Sequence, residues 1–299
     1  MIHSDKRISK KLGLQAGLSK PGLSKAGLSK TGVESFLETV GRAPRSLLML
    51  DFDGTLAPFH SDRGKAFPYP GITSVLQQIV GVGKTRVVIV SGRDATELIP
   101  LLALEPHPEV WGLHGLQRVK ADGSIEVFEL DDATLRALAL ADDWLVSQQL
   151  EHIAEFKAGS IAVHWRGLDL IEVEDLHRRV MLGWTGIATQ SGLNLMQFDG
   201  GVEIRSQKAN KGAAVRILLS EMDADAPAAY LGDDTTDEEA FEAINGSGLS
   251  ILVRPLWRTT AAQLWLKPPE EVLDLLVRWL EVCREGDEMS DEASPEVNA

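Results

Sequence analysis

Short apolar runs alternate with amphipathic stretches along most of the chain, and the character of the alternation changes twice. Leu47-Leu48-Met49-Leu50 has no helical spacing and is closed at once by Gly54 and Pro58, which predicts a buried central strand. Val33 to Val40 reads as a short helix before it. Ile72, Val75, Leu76 and Ile79 then recur at helical spacing and Thr85 to Val90 is a β-branched run, so a strand–helix–strand unit with parallel pairing is expected. Val110 to Leu113 is a third strand. From Leu116 the texture shifts. Val119 to Leu130 resembles a hairpin around Asp122-Gly123, and Ala133 to Leu150 reads as a helix. Ser160 to Arg166 alternates as a strand, Val173 to Gln190 is helical, and Leu193 to Ser206 forms a second hairpin turning at Gly200-Gly201. Hairpins mixed with helices predict a separate α+β insertion over residues 117–207. The parallel pattern resumes with a helix from Asn210 to Leu219, strands at Ala228–Leu231 and Leu249–Val253, and a last apolar-faced helix over Val272–Cys283.

The chain therefore divides into a core of residues 33–116 and 208–284, an insertion, and two ends that offer no core residues. In residues 1–32 the unit Gly-Leu-Ser-Lys recurs three times at a period of five, starting at Gly17, Gly22 and Gly27. Glycine at that density disfavours a helix, and a flexible arm is expected. Residues 285–299 are acidic and contain Pro295, which predicts a solvated, disordered tail.

Composition narrows the classes. With 299 residues, 44% of them hydrophobic, the chain can bury a sizeable core. A net charge of -14 argues against wrapping nucleic acid and means that any anion site must be locally positive or supplied with a cation. No apolar stretch approaches the roughly 18 residues that span a bilayer, so no membrane partner is expected. Met1 to Lys11 lacks the apolar segment of a signal peptide, and the single cysteine, Cys283, cannot form an intrachain disulfide; a cytoplasmic location is the expectation.

Candidate chemistry sits at the strand tips. Asp51 and Asp53 follow the central strand two residues apart, where alternation points them to one side and where open α/β sheets bind ligands. Two carboxylates crowded there are relieved by a divalent cation or a shared proton. The second strand ends in Ser91-Gly92-Arg93, with Asp94 and Glu97 spaced as an N-cap and its partner, so a hydroxyl and backbone N–H groups face an anion site. The third strand leads to His114-Gly115. Lys211 opens the helix after the insertion, and Gly232-Asp233-Asp234-Thr235-Thr236-Asp237-Glu238 is an acidic strand tip with capping-box spacing between Thr236 and Glu239.

Taken in order, these tips resemble the haloacid dehalogenase superfamily of phosphotransferases, and more closely its trehalose-6-phosphate phosphatase family. The resemblance covers residues 45–280. It is carried by Leu50-Asp51-Phe52-Asp53-Gly54-Thr55-Leu56, Ser91-Gly92-Arg93, Gly112-Leu113-His114-Gly115, Val163-His164-Trp165-Arg166, Val202-Glu203-Ile204-Arg205, Asn210-Lys211-Gly212 and the acidic tip. Gln117 stands where the family often has Glu, and Trp165 where Tyr is usual.

The resemblance implies a Rossmann-like parallel-sheet core of haloacid dehalogenase type with the insertion as an α+β cap. It implies a phosphatase acting through an aspartyl phosphate, with trehalose 6-phosphate as substrate. Asp51 is then the nucleophile, and Asp53 the acid that protonates the leaving oxygen and later the base toward water. Ser91 and Gly92 hold phosphate oxygens beside Arg93, and Lys211 adds positive charge. Mg²⁺ is expected on Asp51, Asp233 and the Asp53 carbonyl, with Asp234 and Asp237 acting through water or through these ligands. The expected sugar contacts are His114, Glu155, Lys157, His164, Arg166, Glu203 and Arg205. Sucrose, mannosylglycerate and glucosylglycerol phosphates remain alternative substrates, and a non-catalytic regulatory domain is the reading from another class. Functional coupling to a trehalose-phosphate synthase is an open expectation.

Overall fold

The structure is a computed structural model that describes residues 30–60, 62–198 and 200–292, with side chains from residue 32 to residue 286. The repeat arm, and the last residues of the expected acidic tail, lie outside the described residues. In chain order the first half of the core comprises α1 (Lys30–Arg42), β1 (Ser46–Leu50), α2 (Ile72–Val82), β2 (Thr85–Val90), α3 (Ala95–Leu102), β3 (Glu109–Gly112), β4 (Gln117–Val119) and β5 (Ile125–Val127). The insertion follows as α4 (Asp132–Ser147), β6 (Ala154–Lys157), β7 (Ser160–His164), α5 (Leu170–Ser191), β8 (Asn194–Phe198) and β9 (Gly201–Arg205). The core is completed by α6 (Lys211–Ser220), β10 (Ala228–Gly232), α7 (Glu238–Ile244), β11 (Leu249–Val253), β12 (Leu264–Leu266) and α8 (Glu270–Glu292).

Eight strands form the large sheet in the order β12-β11-β10-β1-β2-β3-β4-β5, parallel as far as β3. β1 is flanked by β10 and β2, in register Leu48↔Ala229 and Leu48↔Val87, so the sheet reverses its winding at β1. Its five residues are all buried because both faces are covered by helices. Leu47 and Met49 pack with Val215 and Leu218 of α6 and Phe241 of α7. Leu48 and Leu50 pack on the opposite side with α1, α2 and Trp279 of α8. Continuing that alternation puts Asp51 on the α6 side.

The β4–β5 hairpin departs from expectation. It extends the large sheet antiparallel to β3, in register Val110↔Val119 and Gly112↔Gln117, instead of belonging to the insertion. Side chains explain the attachment: Arg118 reaches Glu109 at 2.7 Å and lies over the Trp111 ring, and Phe128 stacks on that ring from the connection that follows. The insertion's own sheet, β6-β7-β9-β8, is antiparallel, and α4 and α5 cover one face through Ile161, Val163, Val202, Ile204 and Trp184. α8 also differs, continuing as helix to Glu292 past Arg284, where the tail was expected to begin.

Candidate active site

Three adjacent strand ends deliver the central groups. Asp233 follows β10, Asp51 follows β1 and Ser91 follows β2, so the sheet itself places them side by side. Lys211 comes from the first turn of α6, where Asn210 caps the helix by accepting from Ala213 N at 3.0 Å. Its ammonium is 2.7 Å from Asp51 Oδ1 and 2.8 Å from Asp237 Oδ1, and all three side chains are buried. Burial opposes charge on Lys211, but the carboxylates of Asp237 and Asp51 outweigh it and raise its pKa. Asp51 is pushed up to about 7, first by burial and then by nearby Asp237, against the pull of Lys211. Its other oxygen accepts from Thr55 Oγ1 at 3.1 Å.

Asp237 serves the loop. Its Oδ1 also accepts from Tyr230 at 2.7 Å, and its Oδ2 accepts the backbone N–H groups of Asp233 and Asp234 at 3.0 Å each. Although burial opposes it, Lys211 and these hydrogen bonds hold its carboxyl below the usual range. Gly232 permits this, since a Cβ there would stand 2.4 Å from the Asp237 carboxyl carbon. Asp233 has no hydrogen-bond donor to its carboxylate among the described residues. Burial, then Asp51 and Asp237, push it well above the usual range. It closes over Gly54, whose φ of +84° and missing side chain leave room: a Cβ there would meet Asp233 Oδ2 at 2.2 Å.

Carboxylate oxygens of Asp51, Asp233 and Asp237 lie within 4.8 Å of one another. Asp51 and Asp233 offer an all-oxygen, anionic and buried donor set that fits a hard divalent cation, which relieves the repulsion that raises both, whereas the oxygens of Asp237 already accept from Lys211, Tyr230 and two backbone N–H groups. Of the other two expected metal residues, Asp53 is expected to ligate through its backbone carbonyl and Asp234 through water or the direct ligands, and both carboxylates are engaged elsewhere. The carboxylate of Asp53 is held by the Arg93 fork, Nε to Oδ2 and Nη2 to Oδ1, both at 2.6 Å. Asp234 accepts from Thr235 N at 2.7 Å and caps the turn of Thr235–Asp237.

The Ser91 and His114 loops are laced together by His114 N to Ser91 O (3.0 Å) and Leu113 N to Arg93 O (2.8 Å). Leu113 and His114 both take left-handed backbone angles, with φ of 52° and 55°, which is uncommon for side-chain-bearing residues and turns the imidazole into the site. The ring rests on Gly92, where a Cβ would stand 2.5 Å from it. Burial pushes His114 down to about 4, against the pull of Glu203, so it is neutral near pH 7. Its Nε2 is 3.3 Å from Glu203 Oε2; a carboxylate only accepts, so the ring proton sits on Nε2 and Nδ1 is an acceptor.

A cleft of about 600 Å³ lies between the strand tips and the uncovered face of the insertion's sheet. Alternation along β6, β7 and β9 turns Glu155, Lys157, His164 and Glu203 into it, opposite the face packed on α4 and α5. Glu203, buried, accepts from Ser160 Oγ at 2.7 Å and from Lys157 Nζ at 3.3 Å. Glu155 pairs with His164 Nε2 at 2.9 Å and with Arg63. Burial, then the cations of Lys157, Arg63 and Arg166, push His164 down to about 4.

Gly92, Arg93, His114, Glu155, Lys157, His164, Arg166 and Glu203 thus all line the cleft with Asp51, Asp53, Ser91, Lys211, Asp233 and Asp234. Arg205 does not. It is fully buried on β9 and pairs with Glu239 of α7 at 2.6 Å, fastening the insertion to the core. The sequence reading also missed Phe59, Arg63 and Phe198, which line the cleft from loops or a strand end. Of these, only the charge of Arg63 near the Asp53 motif offered a signal. Neither departure from the family pattern enters the cleft. Gln117 accepts from Ala95 N at 2.7 Å at the start of α3, and Trp165 packs in the insertion's core, edge-on to His177.

Comparison with known proteins adds independent information. Residues 49–264 match the family model described as trehalose-phosphatase. The chain is 30% identical over 261 residues to trehalose-phosphate phosphatase of Mycobacterium marinum, covering 81% of this chain and 64% of that protein. It is 29% identical over 225 residues to the bifunctional trehalose-6-phosphate synthase/phosphatase of Thermoproteus tenax, covering 75% of this chain and 30% of that protein. The chain therefore spans less than two thirds of the length of these curated relatives. Among solved structures, the C-terminal domain of C. albicans trehalose-6-phosphate phosphatase superposes with a TM-score of 0.73 at 21% identity, over 83% of this chain and 96% of that one.

Proposed function

The chain belongs to the trehalose-phosphatase family, and from that premise we propose that it hydrolyses trehalose 6-phosphate to trehalose and inorganic phosphate. The parallel core with an inserted α+β unit is the haloacid dehalogenase-type fold. The observation that carries the chemistry is the pairing of buried Asp51 with Lys211 beside Asp233, at the floor of a cleft roofed by polar side chains.

Asp51 attacks phosphorus as the bond to the sugar oxygen breaks, giving an aspartyl phosphate, while Asp53, once released from the Arg93 fork and protonated from solvent, gives that proton to the departing oxygen. Water then attacks phosphorus, the bond to Asp51 breaks, and the water's proton passes to Asp53. Ser91 and the Gly92 amide hold phosphate oxygens, and Lys211 offsets the charge on them. Asp51 and Asp233, with the Asp53 carbonyl, would hold a divalent cation such as Mg²⁺, which would supply Lewis-acid neutralisation of the phosphate. Asp237 positions the Asp233 loop and Lys211 instead of ligating directly. Glu155, Lys157, His164, Arg166 and Glu203 present the charged surface that a many-hydroxyl sugar requires.

A working location in the cytoplasm rests on the single cysteine; no helix among the described residues is long and apolar enough to cross a membrane. Coupling to a synthase activity is supported by the fused architecture of the Thermoproteus tenax relative. Phosphate release from a panel of trehalose, sucrose, mannosylglycerate and glucosylglycerol phosphates tests the reading, with trehalose 6-phosphate expected to give the highest kcat/KM. A higher value for any other ester would replace the substrate. No release from any, together with an Asp51→Asn variant that behaves as the parent does, would favour a non-catalytic domain.

A further inference from the structure

The acidic tip that carries Asp233 is held along both of its edges. On one edge, Asp237 Oδ2 accepts the backbone N–H groups of Asp233 and Asp234. On the other, the carbonyls meet two arginines of the segment that joins β11 to β12. The Asp234 carbonyl accepts from Arg258 Nη2 at 2.7 Å, and the Asp233 carbonyl accepts from Arg254 Nη1 at 3.3 Å, with Arg258 Nη2 at 3.5 Å. The peptide unit between Asp233 and Asp234 is thus gripped at its N–H and at its C=O by groups from different parts of the chain. Neither arginine lines the cleft.

Arg258 is itself anchored. Its Nη1 pairs with Glu238 at the start of α7 and donates to the Thr259 carbonyl at 3.0 Å. The other Glu238 oxygen accepts from Ala261 N at 2.7 Å, and the Ala261 carbonyl accepts from Asn245 Nδ2 at 2.9 Å. Where the segment leaves β11, the Arg254 carbonyl accepts from Trp265 Nε1 of β12 at 2.8 Å. The segment is therefore a fastened support for the arginines. The Asp233 carboxylate, by contrast, receives no donor among the described residues, so its direction depends on how the main chain beneath it is held.

We propose that Arg258 is a positioning residue for Asp233 as a metal ligand. A tip tethered along one edge by a single carboxylate still pivots about that edge, and hydrogen bonds along the opposite edge remove that freedom. Ligands arranged beforehand avoid the cost of ordering when the cation arrives. A guanidinium suits the task, because its planar fork reaches the tip's carbonyls with one nitrogen while Glu238 holds the other. This inference rests on the reading that Asp51 and Asp233 hold a divalent cation.

Charge alone makes the opposite prediction. A guanidinium beside a site for a dication repels the dication, so neutralising Arg258 would tighten metal binding if its charge were what mattered. The sign of the change in affinity therefore separates the two roles.

The full chain, stripped with chelator, is titrated with Mg²⁺ by isothermal titration calorimetry at a temperature where circular dichroism shows each protein folded. The parent is compared with Arg258→Met, Arg258→Gln, Arg258→Lys and, as reference, Asp233→Asn. Arg258→Met is expected to raise the Mg²⁺ dissociation constant about tenfold, the lower end of the 10–100-fold range for groups that hold metal ligands, since Arg254 and Asp237 keep part of the grip. Arg258→Gln, equally neutral and gentler to packing, should do the same and carries the test if Arg258→Met does not fold. Arg258→Lys should recover part of the loss. A dissociation constant in the neutral variants equal to the parent's would overturn the proposal, and a smaller one would show that Arg258 acts through its charge instead. If the parent binds no Mg²⁺, or Asp233→Asn binds it as tightly as the parent, the metal reading itself falls; if Asp233→Asn loses binding and the neutral Arg258 variants do not, only the role of Arg258 is wrong.

Discussion

Lys211 Nζ lies 2.7 Å from Asp51 Oδ1, a buried contact at the floor of the cleft made by two residues 160 positions apart in sequence. A buried pair of this kind is costly to break from one side, because the surviving carboxylates of Asp51 and Asp237 lose their counter-charge. Lys211→Met is expected to lower the unfolding free energy by about 3–5 kcal/mol and to lose most phosphatase activity. Urea titration followed by circular dichroism measures the first. A loss below about 1 kcal/mol would place Lys211 outside the stabilising network.

Divalent metal should stabilise the folded chain as well as activate it. Burial and mutual repulsion raise the carboxyls of Asp51 and Asp233, and a bound cation removes that penalty. At 100 times its dissociation constant, Mg²⁺ would add about 2.7 kcal/mol to stability, visible as a rise in Tm. Asp233→Asn should abolish the rise. An unchanged Tm in the parent on adding Mg²⁺ to chelator-treated protein, together with undiminished activity after chelation, would remove the metal from the site.

His114 gives the fold a pH dependence with a definite sign. Its pKa is 6.5 when unfolded and is pushed down to about 4 by burial, so between these values the unfolded chain binds the proton and the folded chain does not. Stability is therefore lost as pH falls from 6.5 toward 4, by up to about 3 kcal/mol from this residue, and is unaffected by it above 6.5. His114→Gln should flatten that part of the curve relative to the parent. Parallel stability curves for the two proteins would mean that folding leaves the His114 pKa unchanged.

Cap side chains should separate substrates. Lys157→Ala, His164→Ala, Arg166→Ala and Glu203→Ala are each expected to lower kcat/KM for trehalose 6-phosphate by about 5- to 150-fold, the cost of leaving a closed-site hydrogen-bonding group unpaired at roughly 1–3 kcal/mol. Losses on p-nitrophenyl phosphate should be several-fold smaller. Equal losses on both would assign these residues to closure or folding, and none on either would place the sugar elsewhere.

What could be read from the chain follows from which forces are local. Strand runs and turn residues mark β1, β2, β10 and the Asp51, Ser91 and Asp233 tips because burial and backbone geometry act over a few neighbours. The charged cleft face of β7 and β9 was legible for the same reason, as polar positions alternating with Ile161, Val163, Val202 and Ile204. Attachments over long distances were not. The β4–β5 hairpin joins the large sheet as Glu109, nine residues earlier on β3, receives Arg118, a side-chain pairing that neither apolar pattern nor turn residues mark. Arg205 resembles its cleft-lining neighbour Glu203, two residues earlier on the same strand, yet is claimed by Glu239 from a helix that begins 33 residues later. Strands β6 and β12 are four and three residues long, too short to show a period.

The alternation of β1 has an implication for how this protein can fail. Leu47 and Met49 belong to one helical layer and Leu48 and Leu50 to the other, and Asp51 inherits its side of the sheet from that count. Inserting or deleting one residue within the strand would send Asp51 to the layer opposite Lys211, and the same slip would exchange both sets of apolar side chains. Misplacement by slippage is thus inseparable from unfolding. Losses of activity from a one-residue insertion or deletion in this strand should therefore be accompanied by losses of folded protein.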